Sequence, residues 1–525
     1  MASLGWIWVI TSITLTVVGT QVRSQGAAFW NEQAQETLIK AIRNAENLNR
    51  NVAKNVVVFV GDGMGPSTVT AARTFKGQLA GSDGQDAVMT WEDFPSFGLS
   101  KTYNTNQQVG DSAGTGTAMF TGVKTKSDVI GVDGSVELGE CTADIEKTAL
   151  DSVLIRAKRA GKATGFITTT TITHATPATL YAHTPQRHWE SDGDIPPDQA
   201  NKGCIDIALQ LMTGPANATN VIMGGGRRAF LPETESDPEY HGFLKGRRKD
   251  GRNLIDEWIR SKDAASSKYV WKLDDFDKVD PEQTDNLLGL FDWSHMQYDA
   301  SRPNDLAGEP SIAEMTEKAI RILQKNDKGF LLMVEGGRID HGHHLGNLHT
   351  ALNDAVALDK AVAKAMELTN KEDTLVIVTA DHSHTFTFGG NPSRGNPILG
   401  LDDSGADIDG LPYTVLQYAN GPGGSKEKDS YGQTGSRRNL TEVDTEDPDF
   451  VASAIFPVVF SSHGGEDVAI YASGPMSHLF HGVHEQNYIA HVVRYAACLD
   501  YREHCDVERT VPPISHHSPW PRECL

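Results

Sequence analysis

The stretch Asn55-Val-Val-Val-Phe-Val-Gly-Asp-Gly-Met-Gly65 passes abruptly from apolar residues to glycine and aspartate. Its unbroken apolar run, Val56–Val60, predicts a strand buried on both faces, because a strand with one face in water would alternate apolar and polar residues. Asp62 then follows the carboxyl end of that strand. The stretch therefore predicts a central parallel strand that places a carboxylate at the edge of a sheet.

The same pattern recurs along the chain. Strands are predicted at Ala163–Thr168, Asn220–Met223, Phe330–Val334, Thr374–Thr379 and Asp467–Tyr471, and helices at Phe29–Leu48, Leu150–Ala160, Ile312–Gln324 and Leu352–Leu368. Strands that alternate with helices indicate parallel βαβ units. We therefore predict an α/β fold with a doubly wound, mostly parallel central sheet flanked by helices.

Polar side chains follow the predicted strands and do not precede them. They come in the segments His174-Ala-Thr-Pro177, Glu335-Gly-Gly-Arg-Ile-Asp-His-Gly-His-His344 and Asp381-His-Ser-His384. Open α/β sheets bind ligands at the carboxyl ends of their strands. These segments and Asp62 are therefore expected to meet at one edge of the sheet.

Composition divides the chain into four parts. Residues 1–24, with an apolar run at Gly5–Gly19, are typical of a secretory signal peptide. Residues 390–461 are rich in Gly, Pro, Ser and Asp and predict an inserted surface subdomain, so that residues 25–389 and 462–510 form the main α/β domain. Residues 511–525 form a tail without the hydrophobic segment that a GPI signal needs, which predicts a secreted, extracellular protein with no transmembrane segment.

The five cysteines fit this extracellular address, because exported proteins form disulfides. Their spacing makes Cys498–Cys505 a local bridge, which leaves Cys141 to pair with Cys204 and Cys524 as the odd one. The sequons at Asn217 and Asn439 predict surface glycosylation. The formal charge of −22 excludes nucleic acid as the main partner, because no basic face is left to bind phosphates.

The stretch Val109-Gly-Asp-Ser-Ala-Gly-Thr-Gly-Thr-Ala118 predicts the start of a helix. Asp111 and Ser112 suit the N-cap, since their side-chain oxygens accept hydrogen bonds from unpaired N–H groups. The small residues around Ser112 are expected to leave room for an anion, which the helix dipole would favour. An ordinary capped helix in a glycine-rich loop is the alternative for this stretch taken alone.

Two kinds of metal-ligand set are spread over the strand ends. Asp340 and His344 are one helical turn apart, Asp381 and His382 are adjacent, and His463 precedes the last predicted strand. Imidazoles combined with carboxylates favour zinc. A separate set, Asp62, Thr176 and Glu335, offers only oxygens and favours magnesium.

These residues together could perform an in-line displacement at phosphorus. Two metal ions about 4 Å apart can hold the attacking and the leaving oxygen. One of them would lower the pKa of the Ser112 hydroxyl, and the guanidinium of Arg187 could bind two phosphate oxygens. Gly224-Gly-Gly226 lacks the Gly-Lys-Ser/Thr ending of a phosphate loop and predicts a tight turn.

The serine segment, Val334–His344 and Thr379–His384 together resemble the alkaline phosphatases, the animal type in particular, and the resemblance covers essentially the whole mature chain. It implies hydrolysis of phosphate monoesters to an alcohol and inorganic phosphate. Ser112 would form a phosphoseryl intermediate, and Arg187 would bind its phosphate. The implied ligands are Asp340, His344 and His463 for one zinc, Asp62, Asp381 and His382 for the second, and Asp62, Thr176 and Glu335 for magnesium.

The resemblance implies further features of the animal type. His174 and His341 would tune the magnesium and phosphate sites. A calcium ion would be held by Glu239, Phe291 through its carbonyl, Asp292 and Glu309. The protein would be a homodimer whose crown is the 390–461 segment, and relatives of this type can be anchored at the cell surface.

Three other functions are weighed against this interpretation. A sulfatase on the related fold needs Cys or Ser in a Cys/Ser-x-Pro-x-Arg context, which the Ser112 segment lacks. A phosphodiesterase of that fold usually lacks the Arg187 clamp. A non-catalytic metal-binding glycoprotein would be expected to lack the nucleophile or one of the metal ligands, and this sequence contains all of them.

Overall fold

The computed structural model describes residues 26–142, 145–240, 242–405 and 408–500. The predicted signal peptide, Cys505, Cys524 and the 511–525 tail lie outside the described residues. The chain divides into two compact units, one up to Leu48 and one from Asn49 onward. The described part of the first unit is one helix, α1, close to the predicted Phe29–Leu48.

The helices and strands have the following bounds. The strands are β1 Asn55–Gly61, β2 Ser96–Lys101, β3 Ala163–Thr171, β4 Val221–Gly225, β5 Ser267–Val270, β6 Asn286–Leu290, β7 Phe330–Gly336, β8 Thr374–Ala380, β9 Ser383–His384, β10 Phe386–Phe388, β11 Leu416–Gly421, β12 Ala454–Pro457, β13 His463–Gly464, β14 Val468–Ser473 and β15 Gly482–Glu485. The α-helices are α1 Ala27–Glu46, α2 Pro66–Leu79, α3 Ser112–Thr121, α4 Ile145–Thr148, α5 Val153–Arg159, α6 Ala175–Ala178, α7 Pro197–Ala200, α8 Ile207–Thr213, α9 Leu254–Ser261, α10 Leu273–Asp277, α11 Ile312–Leu323, α12 Arg338–His344, α13 Leu348–Leu368, α14 Gly423–Thr434 and α15 Tyr488–Ala496.

Ten strands form the central sheet, in the order β15-β2-β14-β8-β1-β7-β3-β4-β6-β5. The segment from β8 to β5 is parallel throughout, whereas β14 runs antiparallel to both β8 and β2. The predicted α/β class and mostly parallel sheet are therefore confirmed.

Strand β1 lies at the middle of the sheet and explains its two-sided core. Val57 and Phe59 face one buried apolar cluster, while Val56 and Val58 face the other. Period-two alternation of the side chains distributes the apolar run between the two faces. Helices cover both faces, as the unbroken apolar sequence predicted.

Four strands of the central sheet, β2, β5, β6 and β15, were not predicted. β5 and β15 are the edge strands, and an edge strand has only one neighbour, so its sequence carries a weaker apolar signal. β2 lies between β15 and β14, but its buried positions are Ser96, Gly98 and Ser100, which give no apolar pattern. β6 is a short run interrupted by a glycine. β3 also extends beyond the predicted Thr168 to Thr171, because β-branched threonines suit a strand.

The described part of the 390–461 segment contributes β11, α14 and β12, and its two strands join β10 in a three-stranded sheet of order β10-β11-β12. Leu416, Tyr418 and Ala454 are buried in the same apolar cluster as one face of the central sheet. Its assignment as an inserted subdomain remains a prediction.

The predicted disulfide between Cys141 and Cys204 is confirmed, with the two Cα atoms 5.8 Å apart. Of the two sequons, Asn439 is exposed and Asn217 is half-buried in a short 3₁₀ turn, Pro215–Ala218. Glycosylation remains a prediction at both. Within the described ranges, no helix is long and apolar enough to cross a bilayer.

We expect Leu332→Ala to lower the free energy of unfolding by about 2–5 kcal/mol, because it leaves a cavity in the core. Leu332 is fully buried in β7, opposite Val57 of β1. Leu306→Ala is the matched control, since that leucine is fully exposed and its loss should change the stability by less than about 0.5 kcal/mol. Denaturant unfolding of the two variants measures the difference, and equal effects would contradict the assigned core.

Candidate active site

Four of the predicted site residues lie at or just after the ends of four adjacent strands, β8, β1, β7 and β3. Asp62 follows β1, Glu335 is near the end of β7, and Asp381 follows β8. Thr176 lies in α6, just after β3. The predicted convergence at one edge of the sheet is therefore observed, because parallel neighbours end on the same side.

Ser112 is the first residue of α3, and Asp111 alone is its N-cap. The Asp111 carboxylate accepts hydrogen bonds from the backbone N–H groups of Ala113 and Gly114, at 3.1 and 3.3 Å. Ser112 Oγ lies 3.2 Å from His382 Nε2 and 3.5 Å from Asp62 Oδ1. The hydroxyl is thus buried at a helix start among the predicted metal ligands.

The glycines after Ser112 let α3 pack closely against its neighbours. A side chain at Gly114 would meet Asn104 at 2.4 Å, and one at Gly116 would come within 3.1 Å of Thr179. Room for an anion over Ser112 remains a prediction.

A first cluster surrounds Asp340. His344 Nε2 lies 3.1 Å from Asp340 Oδ2, and His463 Nε2 lies 3.5 Å from Asp340 Oδ1. The two imidazoles are 3.3 Å apart at Nε2. His384 Nε2 lies 2.5 Å from Asp340 Oδ1, and no role was predicted for this histidine from the sequence. Burial raises the pKa of Asp340, but His344 and His384 outweigh this effect and hold it well below its usual range.

A second cluster is formed by Asp62, Asp381 and His382, whose ligand atoms lie within 4.8 Å of one another. His382 Nε2 is 3.1 Å from Asp381 Oδ2 and 3.6 Å from Asp62 Oδ1. Burial raises the pKa of Asp381 to about 6. The pKa of Asp62 is raised well above its usual value, first by burial and then by the charge of Asp381.

A third cluster joins Asp62 to Glu335 and His174, again within 4.8 Å. Thr168 donates a hydrogen bond to Glu335 Oε2. Burial raises the pKa of Glu335 to about 7, although the hydroxyls of Thr168 and Thr176 act in the opposite direction. Glu335 Oε1 and Asp62 Oδ2 are buried and have no hydrogen-bond partner among the described residues.

The imidazoles are held in the tautomer that binds a metal through Nε2. His344 Nδ1 donates to the carbonyl oxygen of Ser461 at 2.6 Å, and His463 Nδ1 donates to that of Gly110 at 2.9 Å. His382 Nδ1 lies 3.2 Å from its neighbour's carbonyl, that of Ser383. In the neutral form of each ring, Nε2 is then the nitrogen without a proton, which is the usual preparation of a histidine ligand. The residues therefore fit metal ions.

Arg187 is placed by the carboxylate that caps the serine helix. Its Nη1 lies 3.2 Å from Asp111 Oδ2, and its Nη2 donates towards His174 Nε2 at 3.4 Å. Burial lowers the pKa of Arg187, but Asp111 and Asp128 outweigh this effect and raise it. The guanidinium is consequently a fixed cation beside Ser112.

His174 and His341 lie side by side, with ring centroids 5.4 Å apart, and both rings approach His295. Burial and the neighbouring Arg338 lower the pKa of His341 to about 3. Burial and Arg187 also lower the pKa of His174 well below its usual range. Both imidazoles are therefore neutral near the guanidinium of Arg187.

The predicted calcium ligands form a looser acidic group. Tyr240 and Gln297 each donate to Asp292 Oδ2 at 3.2 Å. Burial raises the pKa of Glu239 to about 8 and that of Glu309 to about 9, and Asp292 adds to both shifts. The oxygens of these carboxylates are not gathered as tightly as in the three clusters above.

Sequence reasoning missed two roles. His384 follows His382 by two residues in Asp381-His-Ser-His384, and that spacing on a short strand was the available signal. Asp111 was expected only as a helix cap, because its contact with Arg187 joins positions that are 76 residues apart. No local sequence pattern reports such a pair.

Comparisons with known proteins agree with this geometry. The sequence model of the alkaline phosphatase family matches residues 53–499. The tissue-nonspecific isozyme of alkaline phosphatase from Rattus norvegicus is 47% identical over 487 residues, covering 92% of this chain and 91% of the rat protein. Alkaline phosphatase of Gadus morhua is 47% identical over 473 residues, covering 90% and 97%.

Solved structures have the same fold. Alkaline phosphatase from the Antarctic bacterium TAB5 aligns with a TM-score of 0.57 at 22% identity, over 86% of this chain and 99% of that chain. The enzyme from Thermus thermophilus aligns with a TM-score of 0.60 at 23% identity, over 88% and 94%. From the family match and the close animal relatives, we conclude that the chain belongs to the alkaline phosphatase family and is a phosphoric monoester hydrolase.

Proposed function

We propose that Ser112 is the nucleophile of a two-step hydrolysis of phosphate monoesters. The observation that carries the proposal is the position of its hydroxyl, buried at the start of α3 and 3.2 Å from His382 Nε2. In the first step Ser112 Oγ bonds to phosphorus and loses its proton to water, the bond from phosphorus to the alcohol oxygen breaks, and that oxygen takes up a proton from water to leave as the alcohol. In the second step water attacks the phosphoserine, which restores the hydroxyl and releases inorganic phosphate.

We assign the metal ions by ligand hardness and by resemblance to the family. One zinc would be held by Asp340, His344 and His463, a second by Asp62, Asp381 and His382, and a magnesium by Asp62, Thr176 and Glu335. When bound, the ions would lower the pKa of the Ser112 hydroxyl and neutralise the charge of the phosphoryl and leaving oxygens. The orphaned Asp62 Oδ2 and Glu335 Oε1 support an oxygen-rich third site.

The remaining residues bind and orient the phosphoryl group. Asp111 holds Arg187 beside Ser112, so that the guanidinium fork can bind two phosphoryl oxygens without further ordering. His174 and His341, both neutral, would donate or accept hydrogen bonds there without adding charge. The serine hydroxyl, the guanidinium and the two imidazoles would thus be positioned before the substrate binds.

Several further features are proposed from resemblance to the animal enzymes. A calcium ion would be held by Glu239, the Phe291 carbonyl, Asp292 and Glu309. The protein would be a secreted homodimer with residues 390–461 as its crown. The pKa values of Glu239 and Glu309, which are raised first by burial and further by the charge of Asp292, support the calcium assignment, because buried acids that share a site are stabilised by a cation.

Ser112→Ala should abolish the phosphoenzyme and lower kcat by at least about 100-fold, because the covalent step is lost. Residual turnover would come from direct attack by water. Acid-quench labelling with radioactive phosphate, followed by peptide mapping, tests the assignment. Ser100→Ala is the control, since that buried hydroxyl has no hydrogen-bond partner in the described part of the chain. Label on another residue of the wild-type enzyme would overturn the assignment.

Arg187→Ala should weaken competitive inhibition by inorganic phosphate and lower the rate by roughly 10- to 1,000-fold, as for loss of one transition-state donor. Inhibition kinetics measure both effects. Arg260→Ala, a change to an exposed arginine of α9, should alter neither. An unchanged inhibition constant in the Arg187 variant would show that phosphate is bound elsewhere.

The metal assignment predicts opposite losses in two variants. His344→Ala should lower bound zinc and leave magnesium near normal, because it removes a nitrogen ligand. Glu335→Ala should lower bound magnesium and reduce activity indirectly, since Asp62 is shared between sites. Elemental analysis of the purified proteins, with His481→Ala as an exposed control, decides the matter. Loss of zinc with retention of magnesium in the Glu335 variant would refute the division of ligands.

A further inference from the structure

Asp128 lies in the loop after α3, and its backbone has a conformation that is uncommon for an aspartate. Its φ angle is 62°, in the left-handed region that glycine usually occupies. Aspartate and asparagine enter this region more readily than other side chains, because their short polar groups can form local hydrogen bonds. The conformation still costs free energy, and it persists where surrounding contacts fix it, often beside a functional site.

The backbone of Asp128 is bonded both to Asp111 and to Arg187. Its N–H donates to Asp111 Oδ2 at 3.1 Å, and its carbonyl oxygen accepts from the backbone N–H of Arg187 at 2.9 Å. The same Asp111 oxygen lies 3.2 Å from Arg187 Nη1. Asp128 therefore completes a ring of contacts with Asp111 and Arg187, and these contacts fix its left-handed conformation next to the arginine.

The side chain of Asp128 brings a second carboxylate near the guanidinium. Burial lowers the pKa of Arg187, but the charges of Asp111 and then of Asp128 outweigh it. Conversely, burial and the charge of Asp111 raise the pKa of Asp128, whereas Arg187 lowers it. Asp128 is half-buried, and its Oδ2 accepts a hydrogen bond from Ser127 at 3.4 Å. Asp111 makes the direct contact with the guanidinium, and Asp128 adds a negative charge beside it.

A phosphoryl group bound to Arg187 would have to share the guanidinium with these two carboxylates. At alkaline pH a phosphate monoester and inorganic phosphate each carry at least two negative charges, so a nearby carboxylate repels them. We propose that Asp128 is a positioning residue that acts through Arg187: its backbone holds the arginine in place, and its carboxylate lowers the affinity of the site for phosphoryl groups, so that inorganic phosphate is released readily. The proposal rests on the proposed phosphate-binding role of Arg187.

Asp128→Asn tests the effect of the charge, because asparagine keeps the shape of the side chain and tolerates the left-handed region. The inhibition constant for inorganic phosphate at alkaline pH should fall by about 3- to 10-fold, the scale of one partly exposed charge pair. The KM for p-nitrophenyl phosphate should fall with it and kcat should not rise, whereas a damaged site would bind phosphate more weakly. Asp128→Gly should shift the inhibition constant and KM in the same direction, because glycine also adopts this backbone.

Asp133→Asn is the matched control. It removes a carboxylate five residues further along the chain, where the group accepts hydrogen bonds from Ser135. This variant should leave the inhibition constant for phosphate unchanged. An unchanged or increased inhibition constant in both Asp128 variants would overturn the proposal and leave Asp128 as a turn residue.

The double variant Asp128→Asn/Arg187→Ala separates this proposal from the proposed function. If the carboxylate acts through Arg187, Asp128→Asn should no longer strengthen phosphate inhibition once the guanidinium is absent. A full effect of Asp128→Asn in that background would overturn the proposal. Unchanged phosphate inhibition in Arg187→Ala alone would instead refute the phosphate-binding role of Arg187, and with it the basis of the proposal.

Discussion

Mutual repulsion among buried carboxylates is the constraint on which this molecule depends. Asp62, Glu335, Asp340 and Asp381 are all buried near the ends of three adjacent strands. After burial itself, the charges of the other three raise the pKa of Asp62. Gathering acids in a region of low dielectric is favourable only when cations compensate them. Folding of this edge of the sheet and binding of metal ions are therefore coupled, and the apolar strands have to hold the acids together until the ions arrive.

The sheet places the acids, but a single carboxylate links the helix that begins at Ser112 to Arg187. Asp111 caps α3 through two backbone N–H groups and also contacts Arg187. Asn104 donates to its other oxygen at 2.7 Å. Any movement of this side chain would shift the serine helix and the guanidinium together. In the proposed reaction the Ser112 oxygen and the guanidinium would therefore keep a constant separation, which is what a transition state with fixed geometry requires.

Much of this arrangement could be predicted from sequence because its signals are local. β1, β7 and β8 are unbroken apolar runs, and each is followed by its acidic residue within a few positions. The edge strands β5 and β15 escaped prediction because a strand with one neighbour needs fewer apolar residues. β2 escaped it because its buried positions are serines and a glycine. The contacts of Asp111 with Arg187 and of His384 with Asp340 escaped it for another reason, since each joins segments that only the tertiary fold brings together. The individual ligand roles came from resemblance to the family, whereas the pKa shifts that support a cation-binding edge came from burial in the fold.

Backbone atoms, and not side chains, fix the histidines of the first cluster. The rings of His344 and His463 are oriented by the carbonyl oxygens of Ser461 and Gly110, which set which ring nitrogen carries the proton. A backbone carbonyl is present whatever residue occupies the position. Side chains next to these carbonyls can therefore change without turning the imidazoles, provided that the loop keeps its path. The interior of the site is constrained by charge compensation, whereas the positions beside these carbonyls are constrained only by the path of the backbone.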